Sequence, residues 1–572
     1  MNAPERLITA SPSTTALTPW IARAQLLLDE ATRALATRCA KGTRIDSALA
    51  DAWQVPSYEL AWAAAHLLAA RTLDGWLAHA LSPGNDTAHG LARLFIVDAL
   101  VDVATRIEAM QLDLSLDGQA LRAWTGDAQW HQLRQHHAGH DAQKLLGAAV
   151  AAADADFGAP PLSQDVRMAV ENFARFAQEQ VAPLAERIHR EDLTIPESLL
   201  QPLREMGVFG LSIPQRLGGI GPDDHDDTPL MVAVTEALSE GSLGAAGSLI
   251  TRPEILSRAL LAGGTDEQKA HWLPRLAAGD PLCAIAMTEP DHGSDVASLQ
   301  LRATRTDAGW VLDGAKTWCT FAGKAGVLMV VARTEPDRAL GHKGLSLLLV
   351  EKPSTEDHAF EVVQPGGGRL TGRAIPTIGY RGMHSYDLSF ENFVVPHSHL
   401  VGGEAGRGKG FYLTMQGMMG GRMQTAARAC GVMRAALRAA CRYARDRKVF
   451  GDPLAQFALT QSKLARMAAR WMACRHSAYA VAQVMDAGGG RMEASLVKLL
   501  ACRSAELVTR EALQLHGGMG YAEETAVSRY FVDARVLSIF EGAEETLALK
   551  VVARTLLENA LASSITTPAP QA

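Results

Sequence analysis

Hydrophobic and polar positions follow two different periods along this chain, and the change of period divides it into regions. Apolar residues recur at helical spacing in residues 21–36 and 58–81, and the pattern from 165 to about 279 is again helical, with glycine and proline turns. Between about 283 and 400, short apolar runs bounded by Asp, Gly and Pro predict strands. From residue 411 onward, the pattern predicts helices that are longer than most.

The order of these regions predicts the fold class, which is mostly α with a central β-domain. Strands do not alternate regularly with helices, and this argues against a doubly wound sheet. Pro160 and Pro161, with small and polar residues before them, predict a linker after the first helical block. We therefore expect an N-terminal helical extension (1–157), a second helical domain (158–282), a β-domain (283–400) and a C-terminal helical bundle (401–572).

Composition restricts the functional classes. The chain has 572 residues, of which 48% are hydrophobic, with a formal net charge of −7 and a pI near 6.2. These values predict a globular protein and argue against nucleic acid or an anionic membrane as its main partner. We expect neither a secretory leader nor a membrane span, because no apolar stretch has the required length and flanks.

Cysteine and histidine usage is typical of a reduced, cytoplasmic protein without a metal centre. The seven cysteines are scattered and none is spaced as CxxC, so neither a zinc site nor a disulfide framework is expected. Histidines cluster at positions 131–140, but no glutamate follows the first of them as an HExxH motif requires. We therefore expect no bound metal.

One carboxylate, that of Glu541, stands between an apolar run and Gly542 near the end of the C-terminal helical region. Loss of hydration disfavours the charged form, so we expect the pKa of Glu541 to rise toward the range of a general base. Such a base would take a weakly acidic proton from carbon, provided that a partner accepts the electrons. The same pattern is also typical of an ordinary helix end with a C-cap glycine, so the assignment depends on the other motifs.

Two motifs of the strand region suit a planar ligand that bears phosphates. In 287–295 (MTEPDHGSD), Gly293 and Ser294 are small enough for backbone amides and a hydroxyl to approach a phosphate. In 316–320 (KTWCT), Trp318 can lie against a planar ring while a threonine hydroxyl bonds its edge. The helical region adds RDRKVFG and QLHGGMG, each of which is equally consistent with a simple helix-ending loop.

Taken in order, the motifs TEPDHGSD, KTWCT, GYRGM, RDRKVFG, QLHGGMG and IFEGA resemble those of the acyl-CoA dehydrogenase family, over about residues 165–560. The resemblance implies a helical domain, a β-barrel-like domain and a C-terminal four-helix bundle, to which this chain adds its N-terminal helical domain. It also implies noncovalent FAD and the dehydrogenation of acyl-CoA thioesters to α,β-enoyl products, with Glu541 removing the α-proton. The implied partners are the acyl-CoA substrate, electron-transferring flavoprotein as acceptor, and further copies of the chain in a homodimer or homotetramer.

The resemblance also assigns individual residues to the cofactor and the substrate. The flavin-binding face would comprise Met287, Thr288, Gly293, Ser294, Trp318 and Thr320. FAD contacts donated by a neighbouring subunit would come from Arg447, Phe450, Gln514, Gly517 and Gly518. Arg422 and Gly542 are expected on the substrate side, with Arg422 near the CoA part. Some relatives carry the base just before this arginine, at the position that is Gly421 here and cannot act as a base.

Within the family, the N-terminal block and several short segments are similar to the (2S)-methylsuccinyl-CoA dehydrogenases. These segments include RIDSAL at 44–49 and QTAAR at 424–428. The substrate of that branch is branched at the α-carbon and ends in a second carboxylate. Arg252, near where the far end of the acyl chain is expected, is a candidate partner for that carboxylate, because guanidinium binds carboxylate bidentately. The alternative is a surface arginine at the start of a helix.

Several residues depart from the family pattern and leave other functions open. Met419 replaces an acid that usually contacts CoA, and His292 and Cys319 replace the usual residues near the flavin. Glu544 adds a charge just after the candidate base, where close relatives have a small residue. The alternatives are a diverged biosynthetic acyl-CoA or acyl-carrier-protein dehydrogenase or oxidase, and a flavin-binding scaffold without turnover.

Overall fold

The computed structural model describes residues 16–79, 86–153 and 157–566. An N-terminal helical block is followed by a second helical domain, a sheet domain and a C-terminal bundle of long helices, which confirms the predicted fold class. The domain boundaries stay predictions. The predicted linker includes residues 154–156, which lie outside the described residues.

The N-terminal block consists of helices and one short hairpin. Its elements are α1 Thr18–Cys39, β1 Ala40–Lys41, β2 Arg44–Ile45, α2 Ser47–Ala52, α3 Gln54–His79, α4 Asp86–Leu114, α5 Gln119–Thr125, α6 Ala128–Ala138 and α7 His140–Ala152. The helical periods predicted for 21–36 and 58–81 correspond to α1 and α3, except that residues 80 and 81 lie outside the described part of the chain. Asp46 and Asp127 begin α2 and α6 by accepting backbone N–H groups, as N-cap residues do.

The second helical domain leads into the sheet. Its helices are α8 Gln164–Phe176, α9 Ala182–Arg190, α10 Glu197–Glu205, α11 Thr228–Gly241, α12 Thr251–Gly263 and α13 Asp266–Ala277. A reciprocal pair of side chain–backbone hydrogen bonds between Thr265 and Gln268 fixes the start of α13.

The predicted strand region forms one curled sheet. Its strands are β3 Cys283–Ala286, β4 Arg302–Thr306, β5 Gly309–Thr320, β6 Val327–Arg333, β7 Leu345–Glu351, β8 Ala359–Val363, β9 Arg369–Ala374 and β10 Ser385–Val395. Their order is β3-β6-β4-β5-β10-β9-β8, with β7 paired along β6. The β3–β6 pair is parallel, whereas β6–β7 and β5–β10 are antiparallel.

The C-terminal region is helical, as the pattern from residue 411 predicts. Its elements are α14 Gly403–Gly406, α15 Gly410–Asp446, β11 Lys448–Val449, β12 Asp452–Pro453, α16 Ala458–Asp486, α17 Arg491–His516, α18 Gly518–Tyr521, α19 Ala526–Val536, α20 Glu544–Thr546 and α21 Arg554–Thr566. Helix α15 is 37 residues long and contributes residues to two hydrophobic cores. A Cβ on its Gly417 would lie 2.9 Å from the Cα of Ile255, so the glycine lets α15 approach α12 closely.

Strand β6 is buried on both faces, and all its residues before the last one, Arg333, are apolar. Successive side chains of a strand point to opposite sides. Leu328 and Val330 accordingly join the core of the sheet domain, whereas Val327 and Met329 pack in a second core with Trp272 of α13 and residues of α12 and α15. The sheet is thereby fixed against the two helices that carry most of the candidate site.

The N-terminal block shares its hydrophobic core with the C-terminal bundle. Helix α7 lies so close to α16 that a Cβ on Gly147 would be 1.9 Å from the carbonyl oxygen of Gln461. On the neighbouring helix α4, Asp98 accepts a hydrogen bond of 3.0 Å from Arg466 of α16. The block is therefore packed against the bundle and is not a separately folded appendage.

We predict that Gly147→Ala lowers the free energy of unfolding by about 1–3 kcal/mol, because the added methyl group forces α7 away from α16. Gly75→Ala is the matched control, since Gly75 lies inside α3 and a Cβ there has nothing within 4 Å. Removing a helical glycine at an open position should stabilise by about 0.5–1 kcal/mol. Calorimetric unfolding of both variants checks this, and equal shifts would contradict the close packing of α7.

Candidate active site

Glu541 lies in a turn between α19 and α20, with its backbone in the left-handed region. Its φ is 54° and that of Gly542 is 101°. A residue other than glycine adopts this conformation only when surrounding contacts hold it there. The buried Lys498 of α17 supplies such contacts, since its Nζ donates hydrogen bonds to the carbonyl oxygens of Phe540 at 2.9 Å and Gly542 at 2.5 Å. The turn is thus a specifically held loop and not a simple C-cap.

The Glu541 carboxylate is held by α15. Its Oε2 accepts hydrogen bonds of 2.6 Å from Thr425 Oγ1 and 2.6 Å from Arg428 Nη2. Arg428 is fully buried, and its guanidinium lies 4.8 Å from the centroid of the Phe540 ring. A Cβ on Gly421 would lie 3.4 Å from the same Oε2. The position at which some relatives carry the base therefore faces this carboxylate, with no side chain between them.

The expected rise in the pKa of Glu541 is wrong in direction. Burial raises the pKa, but the charge of Arg428 and the hydrogen bonds from Arg428 and Thr425 outweigh it, and the pKa lies below the ordinary value. The sequence argument considered only the apolar neighbours along the chain, whereas Arg428 is 113 residues away. Glu541 is therefore ionised at neutral pH, as a base must be, but its pairing with Arg428 makes it a weaker one.

A second guanidinium lies beside this pair. Arg252 of α12 is only 6% exposed, so the surface alternative for it is wrong. Its Nη1 donates to the carbonyl oxygen of Ser248 at 2.6 Å, and its Nη2 donates to the Tyr380 hydroxyl at 3.1 Å. Arg428 Nη1 lies 3.3 Å from Ser248 Oγ, so the two guanidiniums converge on one serine. The Tyr380 ring also packs edge-on against Phe540 at 5.4 Å.

The charges of this cluster do not balance. In the part of the chain that the structure describes, no carboxylate lies within 4.0 Å of Arg252, and the carboxylate paired with Arg428 is that of Glu541. Buried charges are costly unless they are paired. Two neighbouring buried guanidiniums, of which one is paired with a carboxylate, therefore suit a ligand that brings a further negative charge, and guanidinium binds carboxylate with matched geometry.

The predicted flavin face occupies one edge of the sheet domain. Trp318 leaves 56% of its surface exposed and has a φ of 56°, which turns the indole out of β5. Thr320 Oγ1 lies 2.8 Å from Ser385 Oγ on the neighbouring strand β10. Met287 and Thr288 are half-buried just after β3, and the carbonyl of Thr288 accepts the Thr317 amide at 2.9 Å. A large exposed aromatic side chain with hydroxyls beside it suits the face and edge of a planar ring.

A buried ion pair shapes the adjoining glycine loop. Lys316 Nζ lies 2.8 Å from Glu289 Oε1, and the same carboxylate accepts the backbone N–H of Gln300 at 2.7 Å. Beyond this anchor Gly293 is exposed, and a Cβ there would have nothing within 4 Å. Ser294 Oγ lies 2.9 Å from Thr546 Oγ1, so the loop meets the segment that follows Glu541. This open, polar loop beside an exposed indole fits a flavin that carries phosphates.

The remaining predicted cofactor residues lie together elsewhere. They are exposed and lie in the last turn of α17 or just after the ends of α15 and α17: Arg447, Phe450, Gln514, Gly517 and Gly518. Phe450 is 98% exposed, and the two helix ends are joined by the rings of Tyr443 and His516, stacked at 4.2 Å. Within the described residues, no hydrogen bond or ring contact links this group to the Trp318 face. That they serve a second copy of the chain stays a prediction.

Of the two predicted substrate-side residues, Gly542 adjoins Glu541, and Arg422 lies on the helix that holds the Glu541 carboxylate. Gly542 follows Glu541 directly in the turn, and Arg422 is about 1.7 turns before Arg428 on α15. Arg422 Nη1 donates to Ser495 Oγ at 3.2 Å, and burial followed by the charge of Arg491 lowers the pKa of Arg422. Met419, where the family usually has an acid, is half-buried on the same helix.

One group of side chains has the composition of a metal site. Asp192, His358 and His384 each bring one ligand atom within 4.8 Å of the others. However, Arg381 Nε lies 3.4 Å from the Asp192 carboxylate and brings a positive charge to that place, which disfavours a cation. The absence of a metal stays a prediction. In the residues that the structure describes, no helix has both the length and the apolarity needed to cross a membrane.

Sequence reasoning missed the roles of Arg428 and Lys498. Each is a charged residue at a buried position of a helix whose neighbours are small or apolar. A charge in such a position rarely persists without a partner. That pattern is the signal that would have marked both residues, although it would not have named their partners.

Comparison with known proteins agrees with this geometry. The models of the acyl-CoA dehydrogenase N-terminal, middle and C-terminal domains match residues 163–280, 284–393 and 408–557. The chain is 44% identical over 406 residues to (2S)-methylsuccinyl-CoA dehydrogenase of Cereibacter sphaeroides, which covers 71% of this chain and 72% of that protein. It is 35% identical over 393 residues to the mitochondrial 2-methylacyl-CoA dehydrogenase of Solanum tuberosum, which covers 68% of this chain and 90% of that protein.

Among solved structures, the glutaryl-CoA dehydrogenase of Mycobacterium smegmatis in complex with FADH2 is similar, with a TM-score of 0.60 at 26% identity. That match covers 71% of this chain and 95% of the other. The three domain matches begin at residue 163 and leave the N-terminal helical block outside them. The chain belongs to the acyl-CoA dehydrogenase family, whose members are flavoprotein oxidoreductases that act on CH–CH bonds.

Proposed function

We propose that this chain dehydrogenates a short, α-branched acyl-CoA thioester that ends in a second carboxylate, such as (2S)-methylsuccinyl-CoA, to give mesaconyl-CoA. The observation that carries the proposal is the buried guanidinium of Arg252, with no carboxylate within 4.0 Å among the described residues, beside the Glu541–Arg428 pair. The relatives that are named for methylsuccinyl and 2-methylacyl thioesters support the same substrate class.

The cofactor is proposed to be noncovalent FAD, which accepts the β-hydride when bound. Trp318 and Thr320 would hold the ring, and Gly293 and Ser294 would approach the phosphates, because these residues combine an exposed aromatic face with an open polar loop. The exposed group around Phe450 would complete the site of a second copy, so at least a homodimer is expected. Electron-transferring flavoprotein as the acceptor stays a prediction.

Glu541 is proposed to take the α-proton on its carboxylate. Lys498 holds the two carbonyl groups on either side of Glu541 and so sets the direction of the side chain. Thr425 and Arg428 keep the carboxylate ionised before substrate binds. Because an orienting contact of this kind brings reacting atoms into line, it contributes to the rate as well as to the fold.

The second carboxylate of the substrate is proposed to lie between Arg252 and Arg428, near Ser248. There it would supply the negative charge that the cluster lacks, and it would compete with Glu541 for Arg428. A weaker hold by Arg428 would raise the pKa of Glu541, because burial then dominates. A dicarboxylic substrate would thus strengthen the base that acts on it, whereas a thioester without the second carboxylate would not.

We predict that Glu541→Gln retains bound FAD and thioester but slows flavin reduction about 10²–10⁴-fold, the usual contribution of a general base. Anaerobic bleaching of the flavin by methylsuccinyl-CoA measures this rate. Glu545→Gln is the matched control, because Glu545 is an exposed carboxylate four residues further on. Fast reduction by the Glu541 variant would remove Glu541 from the mechanism.

Arg252→Met should weaken methylsuccinyl-CoA binding by about 2–5 kcal/mol, because the substrate carboxylate would lose its buried partner. Isobutyryl-CoA, which is branched at the same carbon but has no second carboxylate, is the internal control and should bind no more weakly than to the unaltered protein. Titration of the flavin absorbance with both thioesters compares the two. Equal losses for both would place Arg252 outside the recognition of the carboxylate.

Arg428→Gln should shift the acid limb of flavin reduction to higher pH. Burial raises the pKa of Glu541, and the charge of Arg428, the largest influence that lowers this pKa, is then gone, while the weaker effects of Thr425 and Arg252 remain. Protonation of the base then occurs at a higher pH, so the rate with isobutyryl-CoA falls earlier as the pH is lowered. Arg428→Lys retains the charge and should keep the limb near that of the unaltered protein. A limb that does not move in the Gln variant contradicts the control of Glu541 by Arg428.

A further inference from the structure

We propose, on the basis of the role of Glu541 as the base, that the N-terminal helical block positions the catalytic loop, and that Tyr58 does so through Glu544. The catalytic loop is defined here as residues 540–546. Tyr58 lies on α3 of the N-terminal block, and Glu544 lies three residues after Glu541. Tyr58 is thus a positioning residue that belongs to a part of the chain outside the matched family domains.

The Glu544 carboxylate is buried and is held from two sides. Its side chain is 8% exposed, and its Oε1 accepts a hydrogen bond of 2.5 Å from the Tyr58 hydroxyl. Arg503 of α17 donates to both carboxylate oxygens, with Nε 3.2 Å from Oε2 and Nη2 on Oε1. A buried carboxylate that loses one of its donors retains the cost of desolvation. Glu544 therefore has a defined position only while α3 and α17 both contact it.

The N-terminal block also fixes the partner of Glu544. The guanidinium of Arg503 lies 5.0 Å from the centroid of the Trp62 ring on α3, and Arg503 Nη2 lies 3.3 Å from the Tyr58 hydroxyl. Tyr58 and Trp62 themselves pack edge to face at 6.3 Å. A cation above an indole and a shared hydroxyl restrict where Arg503 can lie. Helix α3 thus acts on Glu544 directly and through Arg503.

The catalytic loop couples the position of Glu544 to that of Glu541, because the loop is short and is held by hydrogen bonds on both sides of Glu541. The Glu544 amide donates to the Ser538 carbonyl at 3.0 Å, which closes the turn around Glu541. Lys498 holds the Phe540 and Gly542 carbonyls from the other side. A base displaced by about 1 Å can lose about a hundredfold in rate. A small shift of Glu544 would therefore displace the Glu541 carboxylate relative to the substrate.

Two other contacts between the N-terminal block and the C-terminal helices lie outside the catalytic loop. Asp51 pairs with Lys550, and Arg554 Nη1 lies 3.4 Å from Ser47 Oγ. Lys550 and Asp51 are exposed, and an exposed pair of this kind contributes about 0–1 kcal/mol to docking. Asp51→Asn is therefore a matched control, since it removes an interdomain contact without altering the surroundings of Glu544.

The test compares Tyr58→Phe with Asp51→Asn in the full-length FAD-bound protein. Tyr58→Phe keeps the ring against Trp62 and removes only the hydroxyl. At saturating methylsuccinyl-CoA it should slow flavin reduction about tenfold to a hundredfold, with the thioester Kd unchanged, whereas Asp51→Asn should change neither. Hydrogen exchange by mass spectrometry should show faster exchange of the amides of 540–546 in Tyr58→Phe than in Asp51→Asn. Glu544→Gln should act in the same direction and serves if Tyr58→Phe does not fold.

Equal exchange of the loop amides in the two variants overturns the proposal, as does an equal rate of flavin reduction when methylsuccinyl-CoA reduces the unaltered protein. A Tyr58→Phe effect on Kd alone also overturns it, because a displaced base changes the reduction step. If the loop exchanges faster in Tyr58→Phe but no thioester reduces the unaltered protein, the positioning of the loop is supported while the proposed function fails. The exchange measurement therefore separates the two.

Discussion

The site depends on one buried ion pair, in which Arg428 keeps the Glu541 carboxylate charged inside the protein. Burial alone would favour the neutral acid, and a neutral acid cannot accept a proton. The same guanidinium lowers the basicity of the carboxylate. The ion pair therefore keeps Glu541 charged but makes it a weaker base. A ligand carboxylate bound between Arg252 and Arg428 would compensate the positive charge of the two guanidiniums. It would also compete with Glu541 for Arg428 and so make Glu541 a stronger base.

Close packing of the helices holds the residues around this ion pair in place. Small residues along α15 allow α12 to lie against it, and α12 brings Arg252 to the serine that also contacts Arg428. Strand β6 is buried on both faces, which fixes the sheet against the same helices. The exposed Trp318 and the glycine loop therefore stand on the same rigid framework as Glu541, and the contact between Ser294 and Thr546 joins the two regions. Rigid support of this kind is what an oriented reaction requires.

The N-terminal block has a place in this arrangement, although it carries none of the predicted site residues. Its core is continuous with that of the bundle, and its Tyr58 reaches a carboxylate that follows the candidate base by three residues. Glu544 looked from the sequence like a departure that weakened the assignment. In the structure Arg503 pairs with the charge of Glu544, and the Tyr58 hydroxyl donates a hydrogen bond to it. The unusual glutamate thus has a partner in the additional N-terminal domain.

The sequence by itself determined the order of helices and strands and the family, and it singled out Glu541 and Trp318 as candidates. These follow from local periodicity and from motifs that are continuous along the chain. Only the tertiary structure decided the direction of the pKa of Glu541, the burial of Arg252 and the contact of Tyr58 with Glu544. The partners concerned are 113 residues apart for Arg428 and Glu541 and 486 apart for Tyr58 and Glu544. The energy of a charge depends on every group around it in space, and the sequence does not state which groups those are.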